Sequence, residues 1–397
     1  MKYIIQFLRV IVGLLFIFSG LVKAIDPLGL SYKMQEFFDL WGWGNLNSYT
    51  LALSVTMIAF EIVAGVALLL GWKAKWVVWL LLLLIIFFTF LTGYAHFSGK
   101  FKNCGCFGDC IPITSKTSFI KDLLLLVMIL VLLIGKRFIR PLFSNRATHV
   151  LLIMSAILSV GLQWYAWAFL PPIDCLPFKK GNSIPEKMKP PTGALTDSFA
   201  IRYIYEKNGT RYEFSPTELP ADFKTYKYID RIDKLVRKGN AEPPIKGFAL
   251  RGITGADSTD IILNYEQAIL VFVEELGKMP GNWKEKLRPL VQLANSKFIP
   301  VCLVTTSIES VKAELKEVGM DDLPIFSCDF TAIRTAARSW PTYYLLNRGR
   351  VENKWSQRTV FGLLFTLGNR RPLTPPYPEE PIQPDTLSNS TDTLQAP

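Results

Sequence analysis

The stretch WVVWLLLLLIIFFTFLTGYA, residues 76–95, decides the fold class, because twenty consecutive residues carry no charge. A helix of about 20 residues crosses the roughly 30 Å apolar core of a bilayer. Working outward, residues 4–22, 51–70, 119–135 and 150–170 have comparable length and apolarity. They predict five membrane-spanning helices, a four-helix bundle plus a fifth helix over 141–170. The first span runs on into Lys23-Ala-Ile-Asp-Pro without a small-x-small cleavage site, so it is expected to remain as an anchor. Half of the 397 residues are apolar and 19% are charged, which excludes a disordered or fibrous chain.

Short-loop cations set the expected orientation. With the N-terminus cytoplasmic, that side collects Lys2, Lys73, Lys75, Lys136, Arg137, Arg140 and Arg146, against Lys33, Lys100, Lys102 and Lys116 opposite. An odd number of spans then sends everything after Pro171 to the outer, periplasmic side of a bacterial inner membrane. The net charge of +11 does not imply nucleic acid. Residues 1–170 carry 14 Lys+Arg against 6 Asp+Glu, so most of the excess sits in the membrane region, whose partner is lipid.

Charged residues inside the spans need a reason, notably Arg9 in the first and Glu61 near the middle of the second. A charge in hydrocarbon is costly and normally faces the bundle interior. Either the two pair, fixing helix register or bordering a proton or quinone path, or Arg9 reaches headgroups while Thr56 or Thr89 caps Glu61. They are the intramembrane candidates for cofactor contact.

The loop between the third and fourth spans contains Cys104-Gly-Cys106-Phe-Gly-Asp-Cys110, and Cys175 follows the fifth span on the same side. Gly105 and Gly108 supply the backbone freedom that close thiols need. Nearby Lys100, Lys102 and Lys116 favour a thiolate, whereas Asp109 opposes it. Four cysteines allow three complete pairings. Three roles stay open: a redox-active dithiol relay, a purely structural bridge, or a soft metal site with His96. C-x-C-x3-C is not a zinc-ribbon spacing, and neither metal nor nucleotide is expected.

The first span reads RVIVGLLFIFSGLVK from Arg9 to Lys23, the second carries Glu61 and Gly65, and the cysteine loop reads CGCFG from Cys104. Over about residues 1–140 this pattern resembles the DoxX and MauE group of bacterial membrane proteins. The resemblance implies an inner-membrane, redox-associated protein, since MauE-like members are linked to disulfide formation in periplasmic partners and DoxX-like members to quinone-coupled sulfur oxidation. It assigns redox candidacy to Cys104 and Cys106, and a bundle-interior role to Arg9 and Glu61.

Residues 171–198 are rich in Pro, Lys and Gly and read as a semi-extended linker. Residues 199–205 alternate (FAIRYIY), followed by Asn208-Gly209 and RYEF at 211–214, a hairpin signal within a connecting segment ending at 244. From Ile245 strands and helices alternate: strands at 245–250, 268–273, 298–305, 323–327 and 342–347, helices at 283–295, 308–318 and 331–337, and a closing hairpin to Trp355. That order predicts an α/β sandwich. With Trp340-Pro341-Thr342 entering the penultimate strand, residues 245–366 resemble a thioredoxin-like domain, which implies a cis bond before Pro341. Where that family keeps C-x-x-C stands Gly277-Lys-Met-Pro280, without a thiol. Cys302 reads as core packing. Cys328 is expected nearer the vacated motif. Residues 367–397 are Pro-rich and polar, and read as disordered.

The sequence thus predicts a membrane thiol-disulfide component in which Cys104, Cys106, Cys110 and Cys175 exchange electrons with an exoplasmic protein partner or substrate, with a membrane quinone as acceptor. The rival from another class is a non-catalytic scaffold or subunit of an envelope complex, using the thioredoxin-like domain as a binding surface.

Overall fold

The computed structural model describes residues 1–99, 110–111, 113–195, 198–207, 209–216, 218–220, 222–237, 239 and 241–373. Cys104, Cys106 and the tail from 374 onward lie outside the described residues. Five helices are long and apolar enough to cross a membrane: α1 (Lys2–Ala24), α3 (Thr50–Leu70), α4 (Ala74–Ser98), α5 (Ser115–Ile134) and α6 (Asn145–Phe169). Their outward faces carry Leu83, Phe90, Val127 and Ile157, all exposed, as side chains bathed in lipid must be. A further helix, α2 (Pro27–Leu40), follows α1 and was not foreseen. Asp26 starts it by accepting the Gly29 amide at 3.0 Å, and Pro27 occupies its first turn.

Small residues let α1 and α3 approach. A Cβ built on Gly65 would stand 2.9 Å from the Gly13 carbonyl oxygen, and one on Gly20 2.5 Å from Ile62 Cγ1. In lipid, where no hydrophobic force drives helices together, such close packing is a main source of association. Around it lies a core of Val12, Phe16, Leu68, Leu81, Ile85 and Ile129.

The segment after α6, expected as a linker, is instead part of the C-terminal core. Phe178 and Ile184 are fully buried there, α7 (Ile184–Lys187) forms one turn, and Asn182 and Val351 are hydrogen-bonded through the backbone. Two aromatic and aliphatic side chains outweigh the extended bias of the prolines around them. Next comes a separate three-stranded antiparallel sheet of β1 (Ser198–Lys207), β2 (Thr210–Phe214) and β3 (Lys227–Arg237), in the order β2-β1-β3. Lys207 pairs with Thr210, so the turn has two residues, and Gly209 takes the φ of +76° that such turns favour. β3 was expected to be connecting segment. Its mixed charges, KYIDRIDKLVR, obscure a strand that is open to water on the described surface.

The rest is the main α/β region: α8 (Thr259–Asn264), β4 (Gln267–Val273), α9 (Trp283–Ser296), β5 (Val301–Thr305), α10 (Ile308–Lys316), β6 (Ile325–Ser327), α11 (Phe330–Ala336), β7 (Thr342–Asn347), β8 (Arg350–Ser356) and α12 (Val360–Gly368). The sheet order is β6-β5-β4-β7-β8. β4, β5 and β6 are parallel, whereas β7 and β8 are antiparallel. Alternation along β4 serves both faces: Leu270 and Phe272 join Phe178, Ile184 and Tyr344 on one side, while Ile269, Val271 and Val273 meet Trp283, Leu287 and Leu363 on the other. The expected strand at 245–250 is absent. Arg251 makes only isolated bridges to Asp257 and Ser327. The Trp340–Pro341 peptide bond is cis.

Candidate functional site

Arg9 and Glu61 do not pair. Arg9 is 2% exposed and donates from Nε to the Leu68 carbonyl at 2.9 Å, from Nη2 to that of Leu69 at 2.5 Å, and from Nη1 to that of Arg140 at 3.1 Å. It satisfies the last-turn carbonyls of α3, the negative end of that helix. Glu61 sits seven residues, about 10 Å of helix rise, from Leu68. That separation is what defeats the pair. Thr89 does not cap it, because its hydroxyl donates to the Ile85 carbonyl. Its partner is Lys23, Nζ to Oε2 at 2.5 Å, with both side chains at most 3% exposed. Lys23 was read as the end of the first span; its position about four turns beyond Arg9, close to the same face, was the available signal.

A second buried carboxylate lies beside this pair. Asp122 is 1% exposed, accepts from Thr92 Oγ1 at 3.1 Å and pairs with Lys121 at 2.9 Å. Lys23, Glu61, Lys121 and Asp122 border one small cavity. On the other side of Lys23 and Phe88 opens a cavity of about 450 Å³ between α1, α2, α3 and α4. Phe37, Trp41, Phe60 and Phe87 line it, with Lys23 and Thr92 among its few polar groups. The Lys23 ammonium also stands 4.5 Å from the centre of the Phe88 ring.

At the same end of the bundle Cys110 and Cys175 are joined in a disulfide. The bridge ties the loop after α4 to the segment leaving α6, and shares a recess with Val22, Asp26 and Asp174. Cys104 and Cys106, the other two members of the set, lie outside the described residues. Among the described residues no cluster of metal-binding side chains occurs, so His96 gains no such partners there; its ring stacks on Phe119.

The C-terminal region is latched onto this end of the bundle. Glu274, immediately after β4, has a side chain with no exposure. Its Oε2 accepts from Tyr32 of α2 at 2.8 Å and from Trp340 Nε1 at 3.0 Å, and its Oε1 from Arg334 Nε at 3.0 Å. Burial by itself would raise its carboxyl, yet the Lys278 charge, the bonds from Trp340 and Tyr32, and the Arg334 charge together hold it below the usual range. Burial and the adjacent Glu274 charge push the Tyr32 phenol up. Arg338 Nε meets Asp26 Oδ2 at 2.8 Å, and Lys354 pairs with Asp174. Burial lowers the Lys354 ammonium despite that partner. Sequence gave no hint of these contacts, because α2 itself was missed.

The latch places Gly277–Pro280 against the bundle without a thiol. Cys302 is buried and its thiol is pushed up to about 12 by desolvation. Cys328, near the Gly247 carbonyl at 3.8 Å, is likewise buried and pushed up to about 11. Burial thus disfavours the thiolate at both sulfurs.

A membrane-embedded helical bundle with a disulfide at one end, followed by an α/β region, is the class these features define. Residues 1–135 match the family described as methylamine utilisation protein MauE, and residues 199–238 match a domain of unknown function, DUF8463. The chain is 26% identical over 134 residues to Protein TlpB of Flavobacterium psychrophilum. That similarity takes in 33% of this chain and 36% of the relative, so the chain spans little more than a third of the curated protein it matches. No solved structure matches.

Proposed function

We propose that the protein is an inner-membrane thiol-disulfide component whose exchanging pair is Cys104 and Cys106, braced by Cys110–Cys175, with the α/β region on the periplasmic side. The bridge from the cysteine loop to the segment leaving α6 is the observation that carries this. It leaves Cys104 and Cys106 as the remaining pair of that loop, and the MauE match over residues 1–135 supports a redox setting. A partner's thiolate attacks the oxidised Cys104–Cys106 pair to form a mixed disulfide, and the partner's second thiol resolves it, leaving the partner with the disulfide and Cys104 and Cys106 as the dithiol to be reoxidised.

We read the α/β region as a thioredoxin-like module, a reading supported by its sheet order with β4, β5 and β6 parallel and β7 and β8 antiparallel. It works as a cover and docking surface, since its own motif position holds Gly277–Pro280 and is latched through Glu274. A membrane quinone is the electron acceptor we assign. The chemistry of the 450 Å³ cavity fits one: aromatic and aliphatic walls for the ring and tail, and the Lys23 ammonium and Thr92 hydroxyl as polar contacts. When bound, a quinone takes up the two electrons and two protons that dithiol oxidation releases. Lys23 would hold a ring oxygen there, with its ammonium positioned by Glu61.

Thiol trapping in intact cells tests the proposal. The oxidation state of Cys104 and Cys106 is expected to follow quinone supply, while Cys110–Cys175 stays oxidised. A fixed state under both conditions overturns it. The rival, a scaffold with no thiol exchange, draws on the hydrogen bonds that hold Glu274, three residues before the vacated motif, to Tyr32 and Trp340. Cys104→Ser with Cys106→Ser separates the two, because unchanged function in the envelope favours the scaffold.

A further inference from the structure

A pocket of about 140 Å³ lies where the last turn of α6 meets the α/β region. Trp167 contributes from α6, Lys278 and Pro280 from the loop after β4, and Gln357 and Arg358 from the turn after β8. Gln357 is 6% exposed. Its Oε1 accepts from Tyr343 at 2.7 Å, but its buried Nε2 has no hydrogen-bond partner. A buried amide donor without an acceptor costs free energy that an incoming oxygen would recover. Arg358 is exposed beside it, its guanidinium 5.6 Å from the Trp164 ring centre and 6.0 Å from that of Phe169.

The setting identifies the acceptor. Trp164 and Trp167 end a membrane-spanning helix and are exposed, and tryptophans there stand at the headgroup level. On the adjoining α12, Phe361 and Phe365 are one turn apart and 66% and 75% exposed. Lys286 reaches the same corner, 5.9 Å from the Phe361 ring centre. The acidic neighbours are already engaged, since Lys278 pairs with Glu274 at 3.7 Å and Glu275 at 2.7 Å. Exposed aromatic rings beside basic side chains at this height suit a bilayer surface carrying negative charge.

We propose that this pocket binds the phosphate of an anionic membrane phospholipid, with Gln357 Nε2 and the Arg358 guanidinium donating to its oxygens, while Phe361 and Phe365 enter the headgroup layer. Lipid so bound seats the α/β region on the membrane independently of the Glu274 latch and of any thiol chemistry.

The test uses the full-length protein in nanodiscs of mixed phosphatidylcholine and phosphatidylglycerol, counting retained lipids by native mass spectrometry. Wild type is expected to retain phosphatidylglycerol selectively. Arg358→Ala, at an exposed site, is expected to lower that retention about fivefold, the share of one basic side chain at an anionic surface. Gln357→Glu keeps the acceptor for Tyr343 and removes the donor, and is expected to lower it at least as far. Inorganic phosphate as competitor is expected to leave retention unchanged. Equal retention of the two lipids, equal retention by wild type and both variants, or displacement of the lipid by inorganic phosphate each overturns the proposal.

Discussion

Replacing Tyr32 by Phe removes one hydroxyl from the latch between α2 and the α/β region and little else, since the ring stays packed beneath the Arg334 guanidinium, 4.4 Å from its centre. The lost bond ran to a buried carboxylate at 2.8 Å, and a hydrogen bond to a charged group contributes about 1.5–3 kcal/mol. Opening of the two parts is therefore expected to become roughly ten to a hundred times more frequent. Amide exchange of the full-length protein in nanodiscs reads this directly: residues 27–40 and 274–280 should lose protection while α9 and β5 keep theirs. A pH series adds a sign. Because the Glu274 carboxyl titrates below its ordinary value in the folded protein, its contribution is fully present above about pH 4.3, the unfolded value, and fades as pH falls through the lower folded one. The latch should loosen only at acid pH in wild type, and Glu274→Gln should flatten that dependence. Unchanged protection in Tyr32→Phe, or loss spread evenly over the α/β region, refutes the assignment of Glu274 as the interdomain hub.

Two further outcomes follow from the bundle. Lys23→Met strands the buried Glu61 carboxylate and is expected to cost about 3–5 kcal/mol in thermal stability in detergent, whereas Lys23→Met with Glu61→Leu recovers most of it, as removal of a whole buried ion pair does. Gly65→Ala puts a methyl 2.9 Å from the Gly13 carbonyl oxygen and should cost about 1–3 kcal/mol by the same melting assay, while Gly161→Ala, in open space on α6, should leave it unchanged.

The five spans were legible because the bilayer imposes a length and an apolarity that any twenty-residue window displays. The alternation after residue 245 was legible for a related reason: β4 and β5 are continuous apolar runs, and α9 and α10 carry a helical period. Helix α2 escaped notice because PLGLSYKMQEFFDL buries only Tyr32, Gln35, Phe37 and a few small neighbours, too weak a stripe to read before its packing partner is known. The segment at 171–195 misled in the opposite direction. Its prolines announced an extended linker, and the structure uses that extension to lay Phe178 and Ile184 against the sheet.

What residue order determined by itself is five helices long and apolar enough to cross a membrane, followed by a C-terminal α/β region. Only tertiary structure decided that Lys23 rather than Arg9 neutralises Glu61, that Cys110 takes Cys175, and that Glu274 reaches Tyr32 across 242 positions of sequence. Periodicity and composition are local properties, whereas the partner of a buried charge is chosen by which helix levels coincide once the chain has packed.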